Sequence, residues 1–117
     1  MIATQIQQIY YGAEFQTQDD INFREDISLE FVAFLKDCVE QGLIEDKQSW
    51  DWDATTQVEN VYFFSKDMFK ARDFQKNLLE SDVYQKAYQA MKTEGYHISV
   101  GMVNFIETED TRYDTIK

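Results

Sequence analysis

The chain has 117 residues, of which 44% are hydrophobic and 15% aromatic, so it is long enough for one globular domain with a buried core and too short for two. Twenty-two Asp and Glu against 11 Lys and Arg leave a formal net charge of −11, which disfavours nucleic acids and anionic membrane surfaces as partners. The chain shows no charged leader before an apolar run, no apolar run of membrane-spanning length and a single cysteine, Cys38; we therefore expect a cytoplasmic protein.

The first part of the chain predicts a strand followed by a helix. Residues 2–11 alternate polar and apolar side chains, and a change of phase near Gln7 predicts a β-bulge. Residues 12–22 are polar and acidic, which predicts a connection. Ser28 precedes a run in which apolar residues recur at three- and four-residue spacing, so we expect a helix that Gly42 ends.

The middle of the chain predicts a hairpin and a second helix. Residues 48–54 alternate strictly, residues 55–57 are a short polar turn, and residues 58–64 are rich in β-branched and aromatic side chains. Ser65 is placed to cap the second helix, and Ser81 is placed to start it again, so we expect this helix in two pieces.

The last part of the chain predicts a strand and a tail. Gly95 ends the helical segment, and residues 96–106 alternate as a strand does. Residues 107–117 form a polar tail, which we expect to be frayed or to reach a partner. The order of elements predicts a single α+β domain over residues 1–117, of the ferredoxin-like βαββαβ kind, with a four-stranded antiparallel sheet and helices on one face.

Large apolar side chains occur on both sides of the predicted strands. Val61 and Phe63 lie on one side of their strand, and Tyr62 and Phe64 lie on the other. The helices cover only one face of such a sheet, so the other face would expose a contiguous aromatic surface. Surfaces of this kind mark interfaces or ligand sites, and we therefore predict a homodimer.

The stretch Val61-Tyr62-Phe63-Phe64-Ser65, followed by residues 66–79, resembles the strand that runs into a helix in dimeric α/β-barrel proteins of the antibiotic biosynthesis monooxygenase-like group. The resemblance implies that two ferredoxin-like sheets face each other around a small, often aromatic or polyketide-like ligand. Some members of that group oxidise their ligand without metal or flavin, and others degrade haem. The chain departs from the haem-degrading pattern because its only histidine, His97, begins the last strand, and no catalytic residue is carried over.

Few residues are candidates for catalysis or metal binding. His97 is the candidate catalytic residue, because its ordinary pKa lies nearest neutrality, although a histidine at a strand end more often serves packing or lies at the surface. It has no second histidine or cysteine near it in sequence, so we predict no metal site and no cofactor. Cys38 lies beside the apolar stripe of the first helix, which is typical of a buried structural thiol.

The hairpin carries the candidate binding residues. Asp51 and Asp53 share one strand face, and Glu59 would join them if the hairpin pairs it alongside, which makes these three carboxylates a candidate contact for a basic partner, a site for a hard cation or simply a solvated acidic face. Trp50 and Trp52 lie on the opposite face as core, dimer seam or ligand wall. The residues predicted to contact a ligand are Trp50, Trp52 and Tyr62.

Two functions follow from these observations. The first is a homodimeric α/β-barrel-like protein that binds a small hydrophobic or aromatic ligand; if it is an enzyme, we expect a cofactor-free, monooxygenase-like activity. The second is a non-enzymatic acidic protein of the inhibitor or immunity type, which blocks a basic site on another protein. The absence of a catalytic constellation favours a non-enzymatic role.

Overall fold

The computed structural model describes residues 1–10, 25–53 and 55–116, and the predicted connection at residues 12–22 lies outside them. In chain order the elements are β1 (Ile2–Tyr10), α1 (Glu25–Glu40), β2 (Gln48–Asp53), β3 (Val58–Ser65), α2 (Met68–Glu80), α3 (Asp82–Thr93), β4 (Tyr96–Asn104) and β5 (Tyr113–Asp114).

The strands form one antiparallel sheet in the order β4-β1-β3-β2-β5. The predicted α+β class is confirmed, but the prediction of four strands is wrong. A fifth strand exists because Tyr113 and Asp114 pair with Ser49 and Gln48 at the edge of β2. The predicted bulge in β1 is also absent, since its register with β3 and β4 continues without interruption past Gln7.

Two helix starts differ from the prediction. The first helix begins at Glu25, so Ser28 lies inside it. At the second helix the cap is Asp67, whose side chain accepts a hydrogen bond from the backbone N–H of Lys70 at 2.9 Å. Ser65 instead belongs to β3 and donates its hydroxyl to the carbonyl of Leu43 at 2.8 Å. An acidic cap is favourable there because it also meets the positive end of the helix dipole.

The predicted division of the second helix is confirmed at Ser81. Its extended backbone ends α2, and its hydroxyl accepts the N–H of Tyr84 at 3.1 Å to begin α3. Gly42 and Gly95 have φ of 76° and 94°, the left-handed conformation in which glycine ends a helix without strain. These glycines therefore end the helices where the sequence predicts.

The core lies between the helices and one face of the sheet. The register places Ile6, Val61 and Val100 side by side on the three adjacent strands β1, β3 and β4, and these strands contact α2 and α3. Gln75 on α2 donates to the hydroxyl of the buried Thr4 at 3.1 Å, which satisfies the polar group on this face. The buried cluster consists of Ile6, Leu35, Cys38, Ile44, Phe63, Phe74, Leu78, Tyr84, Met91, Ile98 and Ile116.

The second face of the sheet is covered at one end by the chain that follows β4, residues 105–116, which we call the C-terminal segment. Its Phe105 ring packs edge-on against Tyr62 and Phe64, with centroids 4.9 and 5.0 Å away. Tyr113 packs against Phe64 at 5.6 Å, and the ammonium of Lys47 lies 3.9 Å from the centre of the Tyr113 ring. Phe64 is fully buried as a result.

Polar and apolar contacts also anchor the far end of the C-terminal segment. Ser49 donates its hydroxyl to the carbonyl of Arg112 at 2.8 Å, and the N–H of Ile116 donates to the carboxylate of Asp46 at 3.0 Å. The Ile116 side chain is 5% exposed. The prediction that this tail is frayed is therefore wrong for residues 111–116, which these contacts hold against the sheet and the core.

We expect Ile116→Ala to lower the free energy of unfolding by about 2–4 kcal/mol, because it leaves a cavity in the core. The matched control is Ile106→Ala in the same segment, whose side chain is 75% exposed; its effect should stay within about 0.5 kcal/mol. Urea unfolding followed by circular dichroism measures both. Equal effects of the two substitutions would contradict the docking of the C-terminal segment.

Candidate functional site

A groove of about 500 Å³ lies on the second face of the sheet, between its exposed part and the C-terminal segment. Strands β1, β2 and β3 supply its floor, and the end of β4 with the chain that follows supplies its wall. The residues that line it are Gln5, Ser49, Trp50, Asp51, Tyr62, Val103, Asn104, Phe105, Ile106, Thr108, Asp110, Thr111 and Arg112.

A hydrogen-bonded network fixes the carboxylate of Asp51 in the floor of the groove. Asn60 donates its amide to one oxygen of Asp51 at 2.8 Å, and the hydroxyl of Tyr62 donates to the other at 3.1 Å. Gln5 in turn donates to the side-chain oxygen of Asn60 at 2.9 Å, and Gln7 does so at 3.1 Å. Each Asp51 oxygen keeps the capacity to accept a further donor, so the network presents an oriented acceptor.

Tyr62 links this network to the apolar side of the groove. Burial, and then the hydrogen bond to Asp51 and its negative charge, raise the pKa of the Tyr62 phenol. The phenol is therefore neutral and a donor to Asp51 at physiological pH. The other face of the residue supports the ring of Phe105, so Tyr62 holds both the polar floor and the aromatic wall.

A tight turn shapes the rim of the groove. The N–H of Thr108 donates to the hydroxyl of Thr111 at 2.9 Å, and the N–H of Thr111 donates back to the carbonyl of Thr108 at 3.2 Å. Asp110 and Arg112 also line the groove on this segment. Together with Asp51 they give two carboxylates against one guanidinium, so the lining carries one net negative charge.

The structure places two of the three predicted ligand-binding residues, Trp50 and Tyr62, in the lining of the groove, and Trp52 outside it. The register confirms that both tryptophans lie on the strand face opposite Asp51, facing Val61 and Glu59. Trp50 is 47% and Trp52 55% exposed. The interpretation of these rings as core is therefore wrong within a single chain.

The three carboxylates predicted to contact a partner, Asp51, Asp53 and Glu59, do not form one cluster. Asp51 lies in the groove. Asp53 accepts the backbone N–H groups of Thr55 and Thr56 at 2.9 and 3.3 Å, and these bonds, that from Thr56 first, lower the pKa of Asp53. Glu59 pairs with Trp52 and so lies on the opposite face of the sheet. The expected alignment of Glu59 with the two aspartates is wrong because it assumed a register one residue different.

The described residues contain no group of three or more His, Cys, Asp or Glu side chains arranged to hold a metal ion. His97 is exposed and pairs with Ile9, six positions along β4 from Val103, which corresponds to about 20 Å. It is thus remote from the groove. Burial, and secondarily the carboxylate of Asp37, raises the pKa of the Cys38 thiol to about 11, which makes this buried cysteine a poor nucleophile.

Four residues that matter in the groove were not singled out from the sequence: Gln5, Asn60, Phe105 and Arg112. Gln5 and Asn60 carried a signal, because they place polar side chains on the strand faces that the core does not use. The alternation of residues 96–106 places Phe105 on the same strand face as Val103, whereas Arg112 carried no signal. Their place depends on how the C-terminal segment crosses the sheet, which no local pattern specifies.

None of the helices in the described part of the chain has the length and apolarity needed to cross a membrane. Comparison with protein-family models, with curated proteins and with solved structures gives no match to this chain.

We expect the Tyr62 phenol to titrate above the ordinary value of about 10, and Asp51→Asn to bring its pKa closer to that value by removing the negative charge. Because folding raises this pKa, the contribution of Tyr62 to stability is fully present below the unfolded pKa and is lost as pH rises through the folded pKa. Tyrosinate absorbance, measured as the difference between wild type and Tyr62→Phe, isolates this titration. A Tyr62 pKa unchanged by Asp51→Asn would contradict the hydrogen bond.

Proposed function

We propose that the protein is a non-enzymatic binding domain for a small aromatic molecule that carries a hydrogen-bond donor or a positive charge. The ligand binds in the groove between the second face of the sheet and the C-terminal segment. The observation that carries this proposal is the carboxylate of Asp51, which Asn60 and Tyr62 orient at 2.8 and 3.1 Å in the floor of that groove.

The size and lining of the groove support an amphipathic ligand. A volume of about 500 Å³ is typical of sites for small organic molecules. Val103, Phe105 and Ile106 provide apolar contact on the wall, whereas Gln5 and Asp51 provide polar contact on the floor. An aromatic body against the wall with a donor group at the floor satisfies both.

The charge supports a cationic or neutral ligand over an anionic one. The groove lining carries one net negative charge, and the whole chain carries −11. An anion would approach against this field, whereas an ammonium group would gain a charge-assisted hydrogen bond with Asp51. The ring of Tyr62, which lines the same groove, adds an aromatic surface next to that carboxylate.

The lining supports binding without catalysis. Among the described residues that line the groove there is no histidine, cysteine or lysine, the side chains that most often act as base or nucleophile near neutral pH. Tyr62 has a raised pKa and stays neutral. These groups hold a ligand and have no evident means of moving a proton to or from it.

We further propose that β1 to β4 represent a ferredoxin-like domain with β5 added, a proposal supported by the strand order β4-β1-β3-β2. Kinship with the dimeric α/β-barrel group stays a prediction. In that group two sheets face each other, whereas here the C-terminal segment and the Asp51 network occupy the corresponding face. A cytoplasmic location also stays a prediction, with which the buried free thiol of Cys38 is compatible.

The proposal is tested with three probes that share an indole ring: tryptamine, 3-methylindole and indole-3-acetate. We expect tryptamine to bind most tightly and indole-3-acetate least, because the side group is a cation in tryptamine, uncharged in 3-methylindole and an anion in indole-3-acetate. Asp51→Asn should weaken tryptamine binding on the order of tenfold, the value of a lost charge-assisted hydrogen bond. Calorimetry gives the affinities, and amide chemical shifts locate the site.

The matched control is Asp53→Asn, on the same face of the same strand but engaged in the turn. It should leave tryptamine affinity unchanged, and 3-methylindole affinity should be the same in both variants. Equal affinity of all three probes, or shifts that fall outside the groove lining, would contradict the proposal.

The second candidate function is an acidic protein that occupies a basic site on a partner. The exposed run Glu107, Glu109 and Asp110 beside the groove favours it. A short oligoarginine peptide should then shift the amides of this run first, and with an affinity that falls steeply as salt is added. Shifts spread evenly over all acidic surfaces, including that of α1, would show general charge attraction and count against this candidate.

A further inference from the structure

The outer edge of β4 is a feature of the fold that takes no part in the proposed ligand site. β4 lies at the end of the sheet, and within the described residues it pairs only with β1. It is nine residues long and contains no Asp, Glu, Lys, Arg or Pro, and its register with β1 has no bulge. Proteins commonly protect an exposed edge strand with charged side chains, a proline or a β-bulge. Because β4 has none of these, its outer edge is suited to pairing with another strand.

The direction of the backbone groups along β4 follows from one hydrogen-bonded pair. Phe105 donates its N–H to the carbonyl of Met1 at 2.7 Å, and the amino group of Met1 donates to the carbonyl of Phe105 at 3.1 Å. In antiparallel sheets such pairs alternate with non-bonded ones. Val103 therefore also directs its N–H and C=O toward β1.

The intervening residues direct these groups away from β1. The N–H and C=O groups of Ile98, Val100 and Met102 thus face the outer edge. This leaves three donors and three acceptors in a row, at the spacing that another antiparallel strand matches.

We propose that this edge pairs with β4 of a second copy of the chain, in antiparallel orientation about Val100, so that one continuous sheet runs through both copies. Val100 then lies opposite Val100 of the second copy, and Ile98 lies opposite its Met102. Because the two strands are identical and antiparallel, every contact occurs twice, as a twofold interface requires.

The absence of charge along β4 favours a second copy as the partner of this edge. Two chains of −11 repel each other wherever carboxylates meet. The run from Gly95 to Ile106 contains no charged side chain, so pairing there brings no like charges together. Met102, whose side chain is 37% exposed, gains an apolar neighbour across the new strand pair.

This interface differs from the face-to-face dimer that the sequence suggests. The aromatic rings that motivated that dimer, Phe64 and Tyr62, are covered within the chain by Phe105. Edge pairing leaves the groove open on both copies. The inference is therefore independent of the proposed ligand, and either can fail without the other.

Sedimentation equilibrium of the full chain tests the proposal. We expect wild type to show a concentration-dependent dimer, and Met102→Pro to weaken dimerisation about thirtyfold, since each of the two copies loses one hydrogen bond of about 1 kcal/mol. Proline is tolerated at this position because its missing N–H faces the edge and not β1. Met102→Lys, a charge at the edge, should weaken the dimer as well.

The matched control is Met102→Ala, which removes the side chain and keeps the N–H, and it should retain most of the dimer. Circular dichroism and thermal unfolding confirm that each variant is folded. A wild-type chain that stays monomeric at millimolar concentration would overturn the proposal. A dimer that Met102→Pro and Met102→Lys leave intact would also overturn it, because the interface would then lie elsewhere.

Amide hydrogen exchange distinguishes pairing at the β4 edge from a general change in the stability of the chain. In the dimer the amides of Ile98, Val100 and Met102 should be protected, and on dilution to monomer they should exchange faster while that of Val103 stays protected by β1. Protection of the outward amides in the diluted monomer would show that the chain covers its own edge, and the proposal would be wrong.

Discussion

The packing of Phe105 and Tyr113 onto Phe64 is the contact on which the rest of the second sheet face depends. A β-sheet with helices on one side must deal with apolar side chains on the other, and here the chain does so with its own C-terminal segment. The rings meet edge-on at 5.0 and 5.6 Å, and Lys47 completes the cluster from above Tyr113. This contact directs the segment across the sheet, so that β5 reaches the edge of β2 and a groove remains beneath the part in between.

The remainder of the second face is polar, and the division between the two parts explains the site. Along β3, Phe64 is fully buried whereas Tyr62 and Asn60 are half-buried, and hydrogen bonds to Asp51 replace ring contacts. Tyr62 stands at the boundary with its ring on Phe105 and its hydroxyl on Asp51. An isolated carboxylate beside an aromatic wall would be poorly oriented, whereas one that accepts hydrogen bonds on both oxygens has a defined direction. The apolar wall and the polar floor are thus consequences of one arrangement of β3.

The sequence predicts the elements well because their signals are local. The apolar stripe of α1, the alternation of β2 and β4 and the division at Ser81 each depend on periodicity or capping within a few residues.

Sequence-based prediction fails where a structure depends on residues far apart in the chain. Residues 107–117 are predicted to form a polar tail, yet Tyr113 and Asp114 pair with the edge of β2 and Ile116 is buried in the core. The position of Glu59 was missed for a related reason, since hairpin register depends on the turn around Asp53 and Gln57, the latter with φ of 55°. Asp51 and Tyr62 are each predicted contact residues, but their relation to a single groove depends on the crossing of the C-terminal segment.

The part of the C-terminal segment that forms the groove wall is hydrogen-bonded at both of its ends. The proposed ligand binding is therefore coupled to the docking of this segment. At the near end the N–H of Phe105 donates a hydrogen bond to the carbonyl of Met1, and at the far end the hydroxyl of Ser49 donates one to the carbonyl of Arg112. The turn between Thr108 and Thr111 restricts the intervening chain. A ligand that contacts both Asp51 and this segment binds only when the segment is docked, so it must stabilise the docked state by the free energy of binding that the undocked chain lacks. Substitutions that loosen the segment would therefore weaken the proposed binding by reducing the population of the docked state, even if Asp51 kept its orientation.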